Sequence, residues 1–194
     1  MSIDIKCPQR PFYERDTPVV ARDLLGKKLV RLLAGRSGDC ERLVGIITET
    51  EAYGGVDDPA SHAFHGPTPR NSIMFERGGV SYVYFIYGMY HCVNVSAHSK
   101  TNKAGAVLIR SISPTEGIKK MMVHRNLKNF VGLANGPGKL TMALLIDRSH
   151  NGLDLTDSTC SLHIEDGKRP KRILAAPRVG ITVGTEMNWR FILS

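Results

Sequence analysis

Cysteine and long apolar stretches are both scarce in this sequence, and each absence excludes a class of protein. The four cysteines, Cys7, Cys40, Cys92 and Cys160, are widely spaced and form no Cys-x-x-Cys pair. This spacing argues against a zinc knuckle and against a compact disulfide framework, so we expect reduced, mostly structural thiols. No apolar run approaches the length of a membrane span, and the first ten residues lack the apolar region of a secretion signal. We therefore expect an intracellular protein.

Acidic residues are outnumbered as well. Eighteen Asp and Glu stand against twenty-six Lys and Arg, which gives a formal net charge of +8. Such an excess indicates a polyanionic partner, either nucleic acid or an anionic membrane. The chain also lacks internal repeats, low-complexity tracts and a linker rich in Pro, Gly or Ser. A chain of 194 residues is long enough to bury one core, so we expect a single domain over residues 1–194.

The segment 81–96 is the most distinctive part of the chain, because it holds four of the six tyrosines. Two β-rich runs, 82–87 and 90–95, flank Gly88-Met89, and this pattern predicts a β-hairpin. Strand alternation leaves a large aromatic side chain, Tyr87, beside the turn. The alternative is that the tyrosines only pack across the strands, where aromatic residues are common.

Flanking residues predict the remaining elements. We expect a helix opened by Thr17 as N-cap, with Pro18 at its first position, and closed at Gly26. A capping box with a proline predicts a second helix from Pro114 to His124. A glycine turn predicts a third helix that ends near Ile146. Strands are predicted at 27–33, 42–53, 104–112, 161–164 and 179–183, with a turn at 34–39 between the first two.

The strand 42–53 carries the first candidate chemistry. Alternation puts the carboxylates of Glu49 and Glu51 on one face, together with Ile47 and Tyr53. A plain solvent face does not need an aromatic ring beside two carboxylates. The end of this strand is therefore a candidate site.

The loop 54–71 is longer than an ordinary connection, and such loops are usually functional or disordered. It contains His62 and His65, with Asp57 and Asp58 nearby. No pair of these residues has the spacing of a His-Glu-x-x-His motif, and no thiolate supports them. We therefore predict no metal site in this loop.

The segment 135–141 is a tight glycine turn that leads into an apolar helix. Free backbone N–H groups and Lys139 at a helix start can hold a phosphate. The spacing is not that of a nucleotide-binding P-loop. The alternative, that the glycines only turn the chain, is equally compatible with the pattern.

Together these motifs closely resemble the mammalian-type alkyladenine (3-methyladenine) DNA glycosylase family. The matching blocks, in order, are Thr48–Tyr53, His62, Thr68–Asn71, Tyr82–Tyr90, Asn94, Arg110 and Gly136–Leu140. The resemblance extends from about Thr17 to about Val183. It implies a single mixed α+β domain around a curved antiparallel β-sheet, with a protruding β-hairpin that enters the DNA minor groove. It also implies a monomer that uses no metal or redox cofactor, needs no membrane, and is cytoplasmic and nucleoid-associated in a prokaryote.

The resemblance assigns roles to individual residues. Glu51 matches the general base, and Asn94 matches the floor of the base pocket. The stacking walls of that pocket are matched by Tyr53, His62 and Tyr84. Tyr87 matches the side chain that fills the gap left by a flipped nucleotide. Arg110 and Lys139 are candidate contacts to the DNA backbone.

The implied partner is double-stranded DNA with alkylated or deaminated purines, and the implied reaction is monofunctional base excision. Such an enzyme takes the base out of the stack, holds it between aromatic faces and hydrolyses the N-glycosidic bond. Two rival interpretations remain. The segment 133–139 resembles the glycine hairpin of helix-hairpin-helix glycosylases, which would require a mostly helical chain. A non-catalytic module that binds nucleic acid through stacking aromatics is the other, but it has no need of Glu51.

Overall fold

A computed structural model of the protein describes residues 6–35 and 40–194. Its described part is organised around one antiparallel sheet. The strands are β1 (Lys28–Ala34), β2 (Cys40–Tyr53), β3 (Ser81–Ile86), β4 (Tyr90–Ser96), β5 (Ala106–Glu116), β6 (Leu162–Glu165), β7 (Ile173–Ala176) and β8 (Arg190–Leu193). The helices are α1 (Arg10–Tyr13), α2 (Thr17–Asp23), α3 (Ile118–His124) and α4 (Pro137–Leu144), with short 3-10 turns at Ser72–Phe75 and Arg148–His150. The order in the sheet is β3-β4-β5-β2-β1-β6, and β8 joins β7 to β2.

The 14-residue strand β2 is the centre of the sheet. It pairs with β1 along its first half and with β5 along most of its length. The register with β5 shifts on both sides of Glu49, and such bulges bend a strand and increase its twist. The result is a curled sheet in a mixed α+β domain, so the predicted fold class is confirmed.

The core lies where α2 and α4 cover the sheet. Buried apolar side chains of β1, β2 and β5 pack against buried residues of both helices. Thr50 on β2 also donates a 2.7 Å hydrogen bond from its hydroxyl to the carbonyl oxygen of Ala21 on α2. This contact fixes α2 against one face of β2.

The predicted hairpin is confirmed as β3 and β4, each within one residue of the expected bounds. At its tip, the N–H of Met89 donates to the carbonyl oxygen of Ile86 at 3.2 Å. Tyr87 and Gly88 both have positive φ, +52° and +67°. Positive φ at both central positions is typical of the type I′ turn, whose twist matches that of the flanking strands.

The predicted helix is present and ends at His124 as expected, but its predicted start at Pro114 is wrong, because residues 114–116 continue β5. Gly45 pairs with Pro114 at a register shift, so the missing N–H of proline interrupts the ladder where a bulge already does so. The hydroxyl of Thr115 donates to the carbonyl oxygen of Val44 rather than capping a helix. The real helix, α3, begins after Gly117, whose φ of +71° ends the strand.

The other local predictions were confirmed only in part. The strands β1, β2, β5 and β6 and the helix α4 are confirmed, with shifted ends. Thr17 is not the N-cap of α2: Asp16 takes that position, and the hydroxyl of Thr17 donates instead to Ala97 O. The strand predicted at 179–183 is an irregular segment. Residues 36–39 of the predicted turn lie outside the described residues.

Helices are a minor part of the described chain, and α4, with eight residues, is its longest. This excludes the mostly helical glycosylase as an interpretation of residues 133–139, which here lead into α4. Within residues 6–35 and 40–194, no helix has both the length and the apolar character that crossing a membrane requires.

Candidate active site

A cleft of about 660 Å³ opens where the hairpin, the end of β2 and the segment 179–181 meet. Its lining includes six residues that the sequence singled out: Tyr53, His62, Tyr84, Tyr87, Asn94 and Arg110. These residues come from β2, the loop 54–71, both hairpin strands, the hairpin turn and β5. The fold therefore brings together groups that are up to 57 positions apart in sequence, from Tyr53 to Arg110.

Glu51 lies beneath this cleft with no exposed surface. Its Oε1 accepts a 2.7 Å hydrogen bond from the backbone N–H of Val179. Its Oε2 accepts from the hydroxyl of Tyr53 at 2.9 Å and from Nη1 of Arg110 at 3.2 Å. All three donors belong to residues that line the cleft. A buried carboxylate is thus held in one orientation and compensated by an arginine.

Arg110 connects the two carboxylates of β2. Its Nε donates to Oε1 of Glu49 at 3.1 Å, while its Nη1 reaches Glu51. Glu49 also accepts from Arg190 on β8 at 3.3 Å. The guanidinium of Arg110 therefore supports the carboxylates from inside the cleft. A contact to the DNA backbone, as predicted from sequence, stays a prediction.

A second arginine supports Tyr53 from behind. The guanidinium of Arg178 is buried and forms a bidentate pair with Asp58, at 2.6 and 2.8 Å. Its central carbon lies 4.8 Å from the centre of the Tyr53 ring and 5.3 Å from the Trp189 ring. Nη1 and Nη2 also donate to the carbonyl oxygens of Ala52 and Gly184. This cluster fastens the segment that carries Val179 to the end of β2.

Burial and, after it, the negative charge of Glu51 raise the pKa of Tyr53. Its hydroxyl therefore stays protonated and remains a donor to the carboxylate. Cys92, which also lines the cleft, has its pKa raised to about 11 by burial. A thiol with that pKa is protonated at neutral pH and is a poor nucleophile.

The aromatic wall of the cleft consists of His62, Tyr82 and Tyr84. The rings of His62 and Tyr84 meet edge to face with centroids 4.8 Å apart, and those of Tyr82 and Tyr84 are 5.1 Å apart. Nδ1 of His62 lies 2.9 Å from the hydroxyl of Tyr82. Partial burial and the nearby Arg70 lower the pKa of His62, so its ring is neutral at neutral pH. A neutral ring stacks on a base without adding a charge.

Arg70 lies at the edge of this wall, with its guanidinium carbon 5.4 Å from the centre of the Tyr84 ring. Asn94 lies deeper, on β4, and is 3% exposed. Its Nδ2 donates to the carbonyl oxygen of Tyr82 at 2.9 Å, which fixes the orientation of the amide. One polar side chain of the cleft is therefore held by the backbone of the hairpin.

Tyr87 projects from the hairpin tip and is 85% exposed. An exposed aromatic side chain on a residue with positive φ is uncommon, since glycine or asparagine fits this backbone at lower cost.

Lys139 does not line the cleft. It lies in the first turn of α4, where its Nζ donates to Oδ1 of Asn135 at 2.9 Å. Pro137, two residues earlier, does line the cleft.

The loop histidines and aspartates are used separately. Asp58 pairs with Arg178, and His62 joins the aromatic wall. Among residues 6–35 and 40–194, no three His, Cys, Asp or Glu side chains are grouped so that they could hold a metal ion.

Three features of the site were missed from sequence. Tyr82 lines the cleft but is not among the residues that the resemblance assigns to the pocket, although alternation puts it on the same face as Tyr84. The pair of Arg178 and Asp58, and the backbone N–H of Val179, gave no local signal because their partners are about 120 residues away or more.

Comparison with known proteins gives a consistent result. The sequence profile of the family described as Methylpurine-DNA glycosylase (MPG) matches residues 11–194. A protein of Prosthecochloris aestuarii is 44% identical over 187 residues, which cover 95% of this chain and 86% of that protein. A protein of Methanocella arvoryzae is 46% identical over 187 residues, with 94% and 90% covered. Both carry the name "Putative 3-methyladenine DNA glycosylase".

Proposed function

The chain belongs to the methylpurine-DNA glycosylase family, and from this premise we propose how it works. It removes alkylated or deaminated purines, 3-methyladenine among them, from double-stranded DNA. The damaged nucleotide is flipped into the cleft, and a water molecule activated by Glu51 hydrolyses the N-glycosidic bond. The products are a free base and an abasic site.

The observation that carries this proposal is the environment of Glu51. An ionised carboxylate offers about four lone-pair positions. Three of them accept hydrogen bonds from Val179, Tyr53 and Arg110. A fourth position is left for a water molecule, whose proton the carboxylate can accept as the water attacks C1′ of the sugar. The transition state is oxocarbenium-like, so the negative charge beneath it is also favourable.

The aromatic side chains supply the binding of the flipped base. Tyr53 lies on the β2 side of the cleft, while His62 and Tyr84 form the wall. An extruded purine between these faces regains part of the stacking that it loses in the duplex, a loss of a few kcal/mol. A cationic alkylated purine is attracted to electron-rich rings and is already a good leaving group.

The choice of nucleophile follows from the cleft lining. No lysine is among the described residues that line the cleft, and the thiol of Cys92 is held protonated. Water is therefore the nucleophile, and no Schiff base with the sugar forms. The enzyme leaves the DNA strand uncut.

A single-turnover assay tests this function. A duplex with one 3-methyladenine or hypoxanthine is incubated with excess protein and then treated with alkali. Strand breaks that appear only after alkali show an abasic product. Breaks before alkali would indicate a lyase, and tight lesion binding without breaks would indicate a binding module.

We expect Tyr87→Ala to weaken lesion binding and flipping while leaving the fold intact, because a wedge in the minor groove keeps the opened stack from closing. Fluorescence of a base analogue next to the lesion measures flipping. Val123→Ala on α3 is the control, since Val123 is also exposed, at 74%, but does not line the cleft. If the analogue is flipped equally in both variants, Tyr87 is only a surface aromatic residue.

We expect Asn94→Ser to raise the release of undamaged guanine relative to hypoxanthine. Guanine carries an exocyclic amino group that hypoxanthine lacks, and a fixed side chain at the pocket floor leaves that group clashing or unpaired. The bond from Asn94 to Tyr82 O keeps the amide from moving aside. The measurement compares excision of both bases from matched duplexes. An unchanged ratio of the two rates would reject this role for Asn94.

A further inference from the structure

A second groove, of about 450 Å³, lies away from the active site and is dominated by positive charge. It is formed by the end of α2, the residues that follow it, and the loop between β6 and β7. The cationic residues that line it are Arg22, Lys27, Lys168, Arg169 and Lys171. Phe12 and Ile173 are among the few apolar members of the lining.

Within residues 6–35 and 40–194, the charges of this groove are largely uncompensated. Asp23, on its rim, is paired with Arg15 at 2.8 Å, and Lys27 is paired with Asp166 at 2.8 Å. Arg22, Lys168, Arg169 and Lys171 are exposed and form no ion pair with a carboxylate of the described chain. Four cations around one concavity, each without a carboxylate partner in the described part of the chain, create a strong local attraction for anions.

The groove and the active site are on opposite faces of β2. Thr50 contacts α2 on one face, and its neighbours Glu49 and Glu51 contact Arg110 on the other. Because the groove includes the end of α2, a duplex that lies in the active-site cleft does not pass over it. A ligand of the groove is therefore a separate molecule or a separate segment of one.

The lining also indicates the class of ligand. The ring of Phe12 is covered by the cations of Arg15 and Lys27, at 4.5 and 4.8 Å from its centre. A peptide is recognised by pockets for its side chains as well as by charge, and the covered ring offers no such pocket. A groove lined mainly by arginine and lysine side chains is typical of sites that read a phosphate backbone without regard to sequence.

We propose that this groove binds the phosphate backbone of a second DNA segment while the first segment occupies the active-site cleft. The protein then bridges two duplexes and passes from one to the other without dissociating into solvent. This goes beyond the excision reaction and does not require Glu51. Excision from a single short duplex remains intact when the groove is lost.

Energy transfer between two labelled duplexes tests the bridge. A donor-labelled short duplex with a lesion is bound first, and an acceptor-labelled duplex without a lesion is titrated into the complex at low salt. The parent protein should give energy transfer. Arg169→Glu/Lys171→Glu should weaken binding of the second duplex by at least about tenfold. The slope of log K against log salt for this binding should fall by about 2, because two phosphate contacts are lost.

Lys119→Glu/Lys128→Glu is the matched control, because it changes the net charge equally at two exposed lysines outside the groove. This variant should bind the second duplex as tightly as the parent does. Both variants should excise the lesion from a short duplex at the parental rate. The proposal would be overturned if both variants bound the second duplex equally weakly, or if the parent protein gave no energy transfer. Loss of excision in the groove variant would overturn it too, because it would mean that the groove holds the first duplex. Polyglutamate or inorganic phosphate that binds the groove where duplex DNA does not would also overturn it.

Discussion

Glu51→Gln should bind lesion-containing DNA as the parent does and excise the base about 10²–10⁴-fold more slowly, the usual cost of losing a general base. The amide keeps the shape of the side chain but cannot take the proton of the attacking water. In the parent protein the N–H of Val179 and the guanidinium of Arg110 donate to the carboxylate of Glu51. The amide of the variant places an NH₂ group, itself a donor, against one of these donors. Single-turnover excision, together with a binding isotherm on the same duplex, separates the two effects.

Glu49→Gln is the matched control for this experiment. It makes the same chemical change two residues earlier on the same face of β2, beside the same arginine. Glu49 is partly exposed and is shared between Arg110 and Arg190, so its loss leaves Glu51 compensated. We expect excision by this variant to stay near the parental rate. If Glu49→Gln loses excision and Glu51→Gln keeps it, the two carboxylates exchange roles.

Asp58→Asn should be the most destabilising conservative change in the site. It leaves the buried guanidinium of Arg178 without its counterion, and breaking one side of a buried pair costs about 3–5 kcal/mol. For a chain of this size we expect a fall in the melting temperature of about 10 °C. Excision should fall too, because Arg178 precedes Val179, whose N–H orients Glu51. Thermal unfolding followed by circular dichroism measures the first effect, and excision at a temperature where the variant is folded measures the second.

Asp23→Asn provides the comparison. It makes the same substitution in the pair with Arg15, which has a similar distance of 2.8 Å but whose side chains are 36% exposed. Exposed pairs contribute about 0–1 kcal/mol, so little change in melting temperature is expected. Equal stability of the two variants would show that the buried pair is not what fastens the segment after Arg178.

The parts of the site that could be predicted are those encoded within short stretches of sequence. The hairpin was predictable because alternation and the glycine turn act over a few residues, and the position of Tyr87 follows directly from them. The face shared by Glu49 and Glu51 follows from the same periodicity. Local signals failed where a distant partner outweighed them. A capping box at Ser113 favours a helix in isolation, but pairing with β2 continues through Glu116 and stabilises a strand instead.

The contacts of Glu51 could not be derived from local pattern at all. The N–H of Val179 is 128 positions away along the chain, and its location depends on the ion pair of Arg178 with Asp58. Periodicity in the sequence does not indicate which buried charged side chains will form a pair. The resemblance assigns Glu51 the role of a base, whereas the way in which its carboxylate is held is visible only in the three-dimensional structure.

At Glu49–Glu51, β2 pairs with β5 along one edge and with β8 along the other. This pairing on both edges sets the time scale on which this part of the protein moves. Hydrogen-bonded amide protons there should exchange with solvent more slowly than those of the exposed hairpin tip, which exchange through local opening. On the mechanism that we propose, Glu51 therefore cannot shift to meet a sugar that is wrongly placed. The adjustment would then have to come from the duplex, and a damaged base pair that opens easily would reach the carboxylate more often than an intact one.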